Sequence, residues 1–104
     1  MAADAPGTVF SALADPTRRR LLSAIATHPA TATELAGELP ISRQAVVKHL
    51  NTLAHAGLLE RERHGRDVRY RVTPEPLSDA VTWIAEVGGE WDTRLAALRS
   101  SLRG

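Results

Sequence analysis

Apolar residues recur along this chain at two spacings, and the places where the spacing changes divide it into elements. From Ser42 to Gly57, SRQAVVKHLNTLAHAG, the residues Val46, Leu50, Leu53, Ala54 and Gly57 gather on one stripe of a 3.6-residue wheel, while Gln44, Lys48, Asn51 and His55 fall opposite. Ser42 offers a hydroxyl acceptor to the free amides of the first turn, and Gly57 sits where helices commonly stop in a left-handed conformation. Both ends of a helix are therefore specified. On its own, this stretch is also what an ordinary solvated amphipathic helix looks like; its neighbours decide between the two readings.

Upstream, Pro6 to Ala14 reads as a short helix with Val9, Phe10 and Leu13 apolar, and Asp15-Pro16 supplies an N-cap followed by proline at the first helical position. The next helix, Pro16 to about Thr27, turns Leu21, Leu22 and Ile25 inward. It carries Arg18, Arg19 and Arg20 near its N-terminus, where cations oppose the helix dipole, so they need another use. A phosphate contact, a salt bridge to Asp15 or Glu34, and plain solvation are the alternatives. His28-Pro29 interrupts the pattern, and Thr31-Ala-Thr-Glu34 has the form of a capping box. A third helix thus runs to Leu39 with Leu35, Ala36 and Leu39 inward, and Pro40-Ile41 makes a tight link into Ser42. The layout over residues 31–57 is a helix-turn-helix, in which one helix braces a second that enters a major groove. Arg43 and Gln44 stand at the entering end, and Gln and Arg form paired hydrogen bonds with adenine and guanine edges.

After Gly57 the period changes to two. Residues 58–72, LLERERHGRDVRYRV, read as a β-hairpin in which Val68, Tyr70 and Val72 alternate with Arg69 and Arg71 around a turn at Gly65. Arg63 and Arg66 flank the tip, where an arginine reaches a minor groove or a phosphate. A basic hairpin also protects a sheet edge from aggregation, but directly after a helix-turn-helix it shares that motif's side of the domain. Residues 74–102 predict a last helix: Leu77, Val81, Ile84, Gly88, Trp91, Leu95, Leu98 and Leu102 follow a 3.5-residue repeat. So much apolar surface at the end of a small domain asks for a partner helix, most simply from a second copy. Gly88-Gly89 lowers helix propensity by about 2 kcal/mol and marks either a close helix crossing or a break.

Composition narrows the chemistry. A chain of 104 residues with 43% hydrophobic residues and four aromatics predicts one domain, 1–104, mainly α with a small β-hairpin. The absence of cysteine excludes disulfides, thiolate metal sites and cysteine nucleophiles. No Gly-rich phosphate loop, nucleophile-base pair or metal set is visible, which argues against an enzyme and leaves no cofactor to expect. Neither a membrane span nor a signal peptide is evident, so the expected location is the cytoplasm. The net charge of +1 is unevenly spread: residues 42–72 hold seven Arg or Lys against three acids, and the flanks together are mildly acidic. A local phosphate-facing surface fits that distribution. The competing reading is a winged-helix module that binds protein and not DNA.

FSALADPTRRRLLSAI followed by TATELAGELPISRQAVVKHLNTLAHAGLLERERHGRDVRYRV resembles the ArsR type of bacterial winged helix-turn-helix repressor over Val9 to Val72. DPTR, S-x-x-A-V-x-x-H-L, L-x-x-A-G-L and the GR turn carry the resemblance jointly, and Trp91, Arg94, Leu95 and Leu98 resemble the closing helix of a non-metal-sensing subgroup. The resemblance implies a homodimer joined through its first and last helices, with Val9, Phe10, Leu13, Ile84, Gly88, Trp91, Leu95 and Leu98 as candidate contacts. It implies a promoter operator of double-stranded DNA, an inverted repeat, met by Ser42, Arg43, Gln44, Val47, Lys48 and His49. Asn51 on the outward stripe and Arg63, Arg66 and Arg69 on the hairpin complete the candidate DNA-binding set. Val47 departs from the small polar residue often found at its position. The metal ligands of the family's sensing members are cysteines on the bracing helix, or carboxylates with histidine on the last helix. There is no Cys anywhere and no His after His64, so no metal site is expected; an effector ligand is unspecified.

Overall fold

The computed structural model describes residues 5–103, apart from the side chains of residues 5, 6, 91, 95, 102 and 103. Its elements are α1 (Ala5–Ala12), α2 (Pro16–Thr27), β1 (Ala30–Thr31), α3 (Ala32–Glu38), α4 (Arg43–His55), β2 (Leu59–His64), β3 (Asp67–Val72) and α5 (Glu75–Arg103). Three of the helix starts are capped as their residues predict. Asp15 accepts from the amides of Thr17 and Arg18 at 2.7 and 3.2 Å, and Ser42 accepts from Ala45 at 3.1 Å. At α3 the Thr31 hydroxyl accepts from the Glu34 amide while Glu34 Oε1 accepts from the Thr31 amide, a closed capping box.

Helix α1 ends at Ala12, two residues before the expected Ala14, and the arginines of α2 take up the carbonyls at its end. Arg18 donates through Nε to the Ala12 carbonyl at 2.6 Å and through Nη2 to that of Ser11 at 3.1 Å; Arg19 donates to the Leu13 carbonyl at 2.6 Å. Two of the three cations that sit badly at their own helix N-terminus thus bond carbonyls at the C-terminal end of the preceding helix, and Arg18 also makes the expected salt bridge to Asp15, at 3.8 Å. Arg20 is exposed.

The end of α4 is a Schellman motif. Gly57 has φ 80°, its amide donates to the Ala54 carbonyl, and the Leu58 amide donates to the Leu53 carbonyl, both at 3.0 Å. Leu53 and Leu58, joined by that bond, are both fully buried. This turn redirects the chain into β2. The hairpin closes through the two-residue loop Gly65-Arg66, with Gly65 at φ 64°, and pairs His64 with Asp67 through to Leu59 with Val72.

The hairpin is not alone. Ala30 and Thr31 form β1, which pairs antiparallel with Tyr70 and Arg69, so the sheet has three strands in the order β1-β3-β2. Two residues have no alternation to read, which is why periodicity misses this strand. The core gathers Leu21, Leu22 and Ile25 of α2, Leu35 of α3, Val46, Leu50 and Leu53 of α4, Leu58, Leu59, Tyr70, Ala80, and Val9 and Ala12 of α1.

Helix α5 runs unbroken through Gly88-Gly89, so the glycine pair is not a break, and a Cβ at either glycine meets nothing within 4 Å in the protomer. The helix leaves the core after Ala80. That is why the radius of gyration is 18.4 Å, against about 13 Å for a compact domain of this length. Among the described residues no helix is long and apolar enough to cross a membrane.

The start of α4 rests on one side chain. Ser42→Ala is expected to lower stability by about 1 kcal/mol, a fall in Tm of roughly 4–8 °C in thermal melts at fixed protein concentration. An unchanged melt would mean that solvent serves the first-turn amides equally well.

Candidate nucleic-acid interface

Helix α4 turns Val46, Leu50 and Leu53 into the core and leaves Gln44, Lys48, Asn51 and His55 exposed. The bracing helix α3 does more than pack: Thr33 on its outer surface accepts from Arg43 Nε at 3.1 Å. That bond fixes the stem side of the guanidinium and leaves its two terminal nitrogens directed away, the pair that guanine recognition uses. Thr33 has no signature in sequence, since any exposed threonine in α3 looks alike until the helices are packed.

Two of the expected contact positions turn inward. Val47 is half-buried against the core, and His49 is half-buried beside Asp15. Partial burial raises the Asp15 carboxyl, but the amides of Arg18 and Thr17 outweigh it, and the nearby His49 and Arg18 add to them; its pKa lies below the ordinary value. His49 therefore faces the α2 cap.

Register sorts the arginines of the wing. Arg61 is opposite Tyr70 and Arg63 opposite Val68, so both share the sheet face of Leu59, Tyr70 and Val72. Arg69 and Arg71 stand on the other face with Glu60 and Glu62. Arg71 pairs with Glu60 at 3.0 Å and with Glu62, and Arg69 pairs with Glu34 at 3.3 Å. Arg61, Arg63 and Arg66 are exposed and have no ion pair among the described residues. Arg69, a candidate DNA contact alongside Arg63 and Arg66, has its charge engaged by the same Glu34 oxygen that closes the α3 capping box. The Thr31 amide, then the Thr31 hydroxyl, and more weakly Arg69 and His28 hold the Glu34 carboxyl below its usual pKa against the opposing effect of burial. Arg69 ties the wing to the helix-turn-helix. Arg61 is the cation that sequence reading passed over, and counting alternate residues outward from the Gly65 turn finds it.

The candidate pairing surface divides in the same way. Val9 is only 2% exposed, so its side chain belongs to the protomer's own core and offers nothing to a second copy. Phe10 and Leu13 are half-buried, and Phe10 stacks at a tilt on Trp83 of α5 with ring centroids 5.6 Å apart. On α5, Val81, Trp83, Ile84 and Leu98 are 63%, 47%, 51% and 56% exposed, and Gly88 is also exposed. The side chains of Trp91 and Leu95 lie outside the described residues.

A helix-turn-helix domain family matches residues 13–62 of this chain. The transcriptional repressor SdpR of Bacillus subtilis (strain 168) is 31% identical over 87 residues, which cover 84% of this chain and 97% of the repressor. An ArsR-like transcriptional regulator from Rhodococcus sp. RHA1 superposes with a TM-score of 0.85 at 39% identity, over 95% of this chain and 93% of that one. A second structure, of an ArsR family transcriptional regulator, gives a TM-score of 0.79 at 31% identity over 86% and 93% of the two chains. The shared architecture is a winged helix-turn-helix with a small three-stranded sheet and a long C-terminal helix, and the proteins that share it regulate transcription and are not enzymes. The chain belongs to the ArsR family of winged helix-turn-helix transcriptional regulators, which bind DNA.

Proposed function

We propose that the protein is a repressor that binds an inverted-repeat operator as a homodimer, paired through α1 and α5, and does so without a metal. The observation that carries the reading is the exposed stripe of α4, Gln44, Lys48, Asn51 and His55, together with three wing arginines that no carboxylate engages among the described residues. Arg43 and Gln44 read base edges in the major groove; Lys48 and Asn51 extend the contact; Arg61, Arg63 and Arg66 meet the backbone or the minor groove beside it. Two copies supply two such surfaces, and the apolar residues of α5 beyond Ala80 support the pairing. Metal independence is supported by the donor chemistry of the sequence, which has no cysteine and no histidine after His64. The protein acts where its promoter is, in the cytoplasm.

The test is binding to the upstream region of its own gene and to a scrambled duplex across a salt series, with and without zinc and chelator. Tight, salt-dependent, selective binding indifferent to metal is expected. Binding to no duplex at all would move the protein to the interaction-module reading, and zinc-dependent binding would overturn the metal independence.

Arg66 carries a separate prediction. Arg66→Ala is expected to weaken cognate and scrambled duplexes by the same factor and to reduce the slope of log affinity against log salt by about 1, the signature of one lost phosphate contact. A slope unchanged from wild type would remove Arg66 from the interface.

A further inference from the structure

Beside α4 an open cleft of about 650 Å³ separates that helix from α1. From α1 it is lined by Gly7, Thr8, Ser11 and Ala12, and from α4 by Lys48, Asn51, Thr52, His55 and Ala56. Among the described residues no carboxylate lines it. Its polar groups among the described residues are an ammonium, an imidazole, an amide and three hydroxyls, that of Thr52 donating to the Lys48 carbonyl; together they suit an oxyanion. On a helical wheel Thr8 and Ser11 occupy the side of α1 away from Val9, Phe10 and Leu13, so the apolar side of the helix serves the core and α5 while the polar side faces the cleft. On α4, Lys48, Asn51, Thr52 and His55 fall within one stripe with Gln44, and His55 stands about 16 Å further along the axis than Gln44. A duplex whose groove edge meets Gln44 thus has its sugar-phosphate rail passing along the rest of that stripe.

We propose that this cleft is a second DNA contact, in which α1 and the C-terminal half of α4 together hold a phosphodiester of the operator backbone. The inference rests on the DNA-binding reading above and extends it to α1, a helix outside the helix-turn-helix. Ser11 and His55 donate to the phosphate oxygens from opposite walls and Lys48 supplies the charge. The contact carries no sequence information; it fixes how far α4 is inserted and at what angle.

The experiment is a set of cognate duplexes, each with one backbone phosphate replaced by a neutral methylphosphonate, bound to the full chain and to its Ser11→Ala and His55→Gln variants. Both residues are exposed, so both variants are expected to fold and to elute as wild type does. Each variant is expected to bind all unmodified duplexes about three- to tenfold more weakly, cognate and scrambled alike. One phosphate position is expected at which neutralisation weakens wild type by a similar factor but leaves the two variants unchanged. Losses that simply multiply at every position, or variants that bind as wild type does, would overturn the proposal while Gln44→Ala still reports on the DNA-binding reading. Wild type binding no duplex would instead remove that reading itself. As a separate arm, inorganic phosphate is titrated into the DNA-free protein by amide NMR. Saturation at low millimolar phosphate in the amides around Ser11 and His55, with duplex binding unaffected by the variants, would assign the cleft to a free phosphate compound and overturn the backbone assignment.

Discussion

Ile84→Asp is expected to leave the protomer folded, to abolish the proposed pairing through α5, and to lower operator affinity by a factor of about 10²–10⁴. Ile84 is 51% exposed in the protomer, so aspartate there removes little from the core and the chain's own fold tolerates it. In a paired α5 the same position is covered, and a carboxylate is left in an apolar seam without a partner. Val81 stands one turn earlier on the same stripe at 63% exposure, so Val81→Asp is expected to act alike. Operator affinity falls when pairing is lost because two linked reading heads engage two half-sites, and a single head forfeits the effective concentration that the linkage provides. Sedimentation velocity gives the oligomeric state, circular dichroism the fold, and titration with a full and a half operator the affinity. A variant that sediments as a dimer, or a monomer that binds the full operator as wild type does, would overturn the role given to α5. The full operator is the sensitive substrate; on the half operator the variant and wild type are expected to converge.

Much of this architecture is legible in sequence because each helix boundary is written in local chemistry. Asp15-Pro16, Thr31 with Glu34, Ser42 and Gly57 act within a few residues of themselves, and each does in the structure what its residue type predicts. What was not legible depends on partners distant in sequence. The Asp15 partner of Arg18 is within reach of sequence, but Arg18 and Arg19 still look like charges misplaced on a helix dipole until the carbonyls of Ser11, Ala12 and Leu13 arrive beside them. The arginines of the wing look alike until register divides Arg61 and Arg63 from Arg69 and Arg71, a division set by the two-residue loop at Gly65. Val9, read as a surface for a second copy, is enclosed by its own core, because periodicity marks a residue as apolar without saying which chain covers it. The same ambiguity made Gly88-Gly89 unreadable, and the helix simply continues through it with open space at both positions. For the candidate site this means that the capped start of α4 is local and legible, whereas the bonds of Thr33 to Arg43 and of Glu34 to Arg69 are tertiary and were invisible.

Gln44→Ala is expected to cost about 1–3 kcal/mol on the cognate duplex, a 5- to 150-fold loss, and almost nothing on a scrambled one. Gln44 is exposed, follows the capped start of α4 by two residues, and extends from the end of the helix that enters the groove first. Its side chain carries no charge, so removing it releases no counterion change, and the salt slope is expected to stay as in wild type. That combination separates base reading from backbone contact: Arg66→Ala changes the slope and spares selectivity, and Gln44→Ala does the reverse. Arg43 provides a second check. Its Nε is held by Thr33, so Thr33→Val is expected to weaken cognate binding through a guanidinium that is no longer held in orientation, with the charge and hence the slope retained. The measurement is fluorescence anisotropy on the two duplexes at four salt concentrations. Equal losses on cognate and scrambled DNA for Gln44→Ala would mean that this end of α4 touches backbone, and the reading of bases would then pass to Asn51 and the wing.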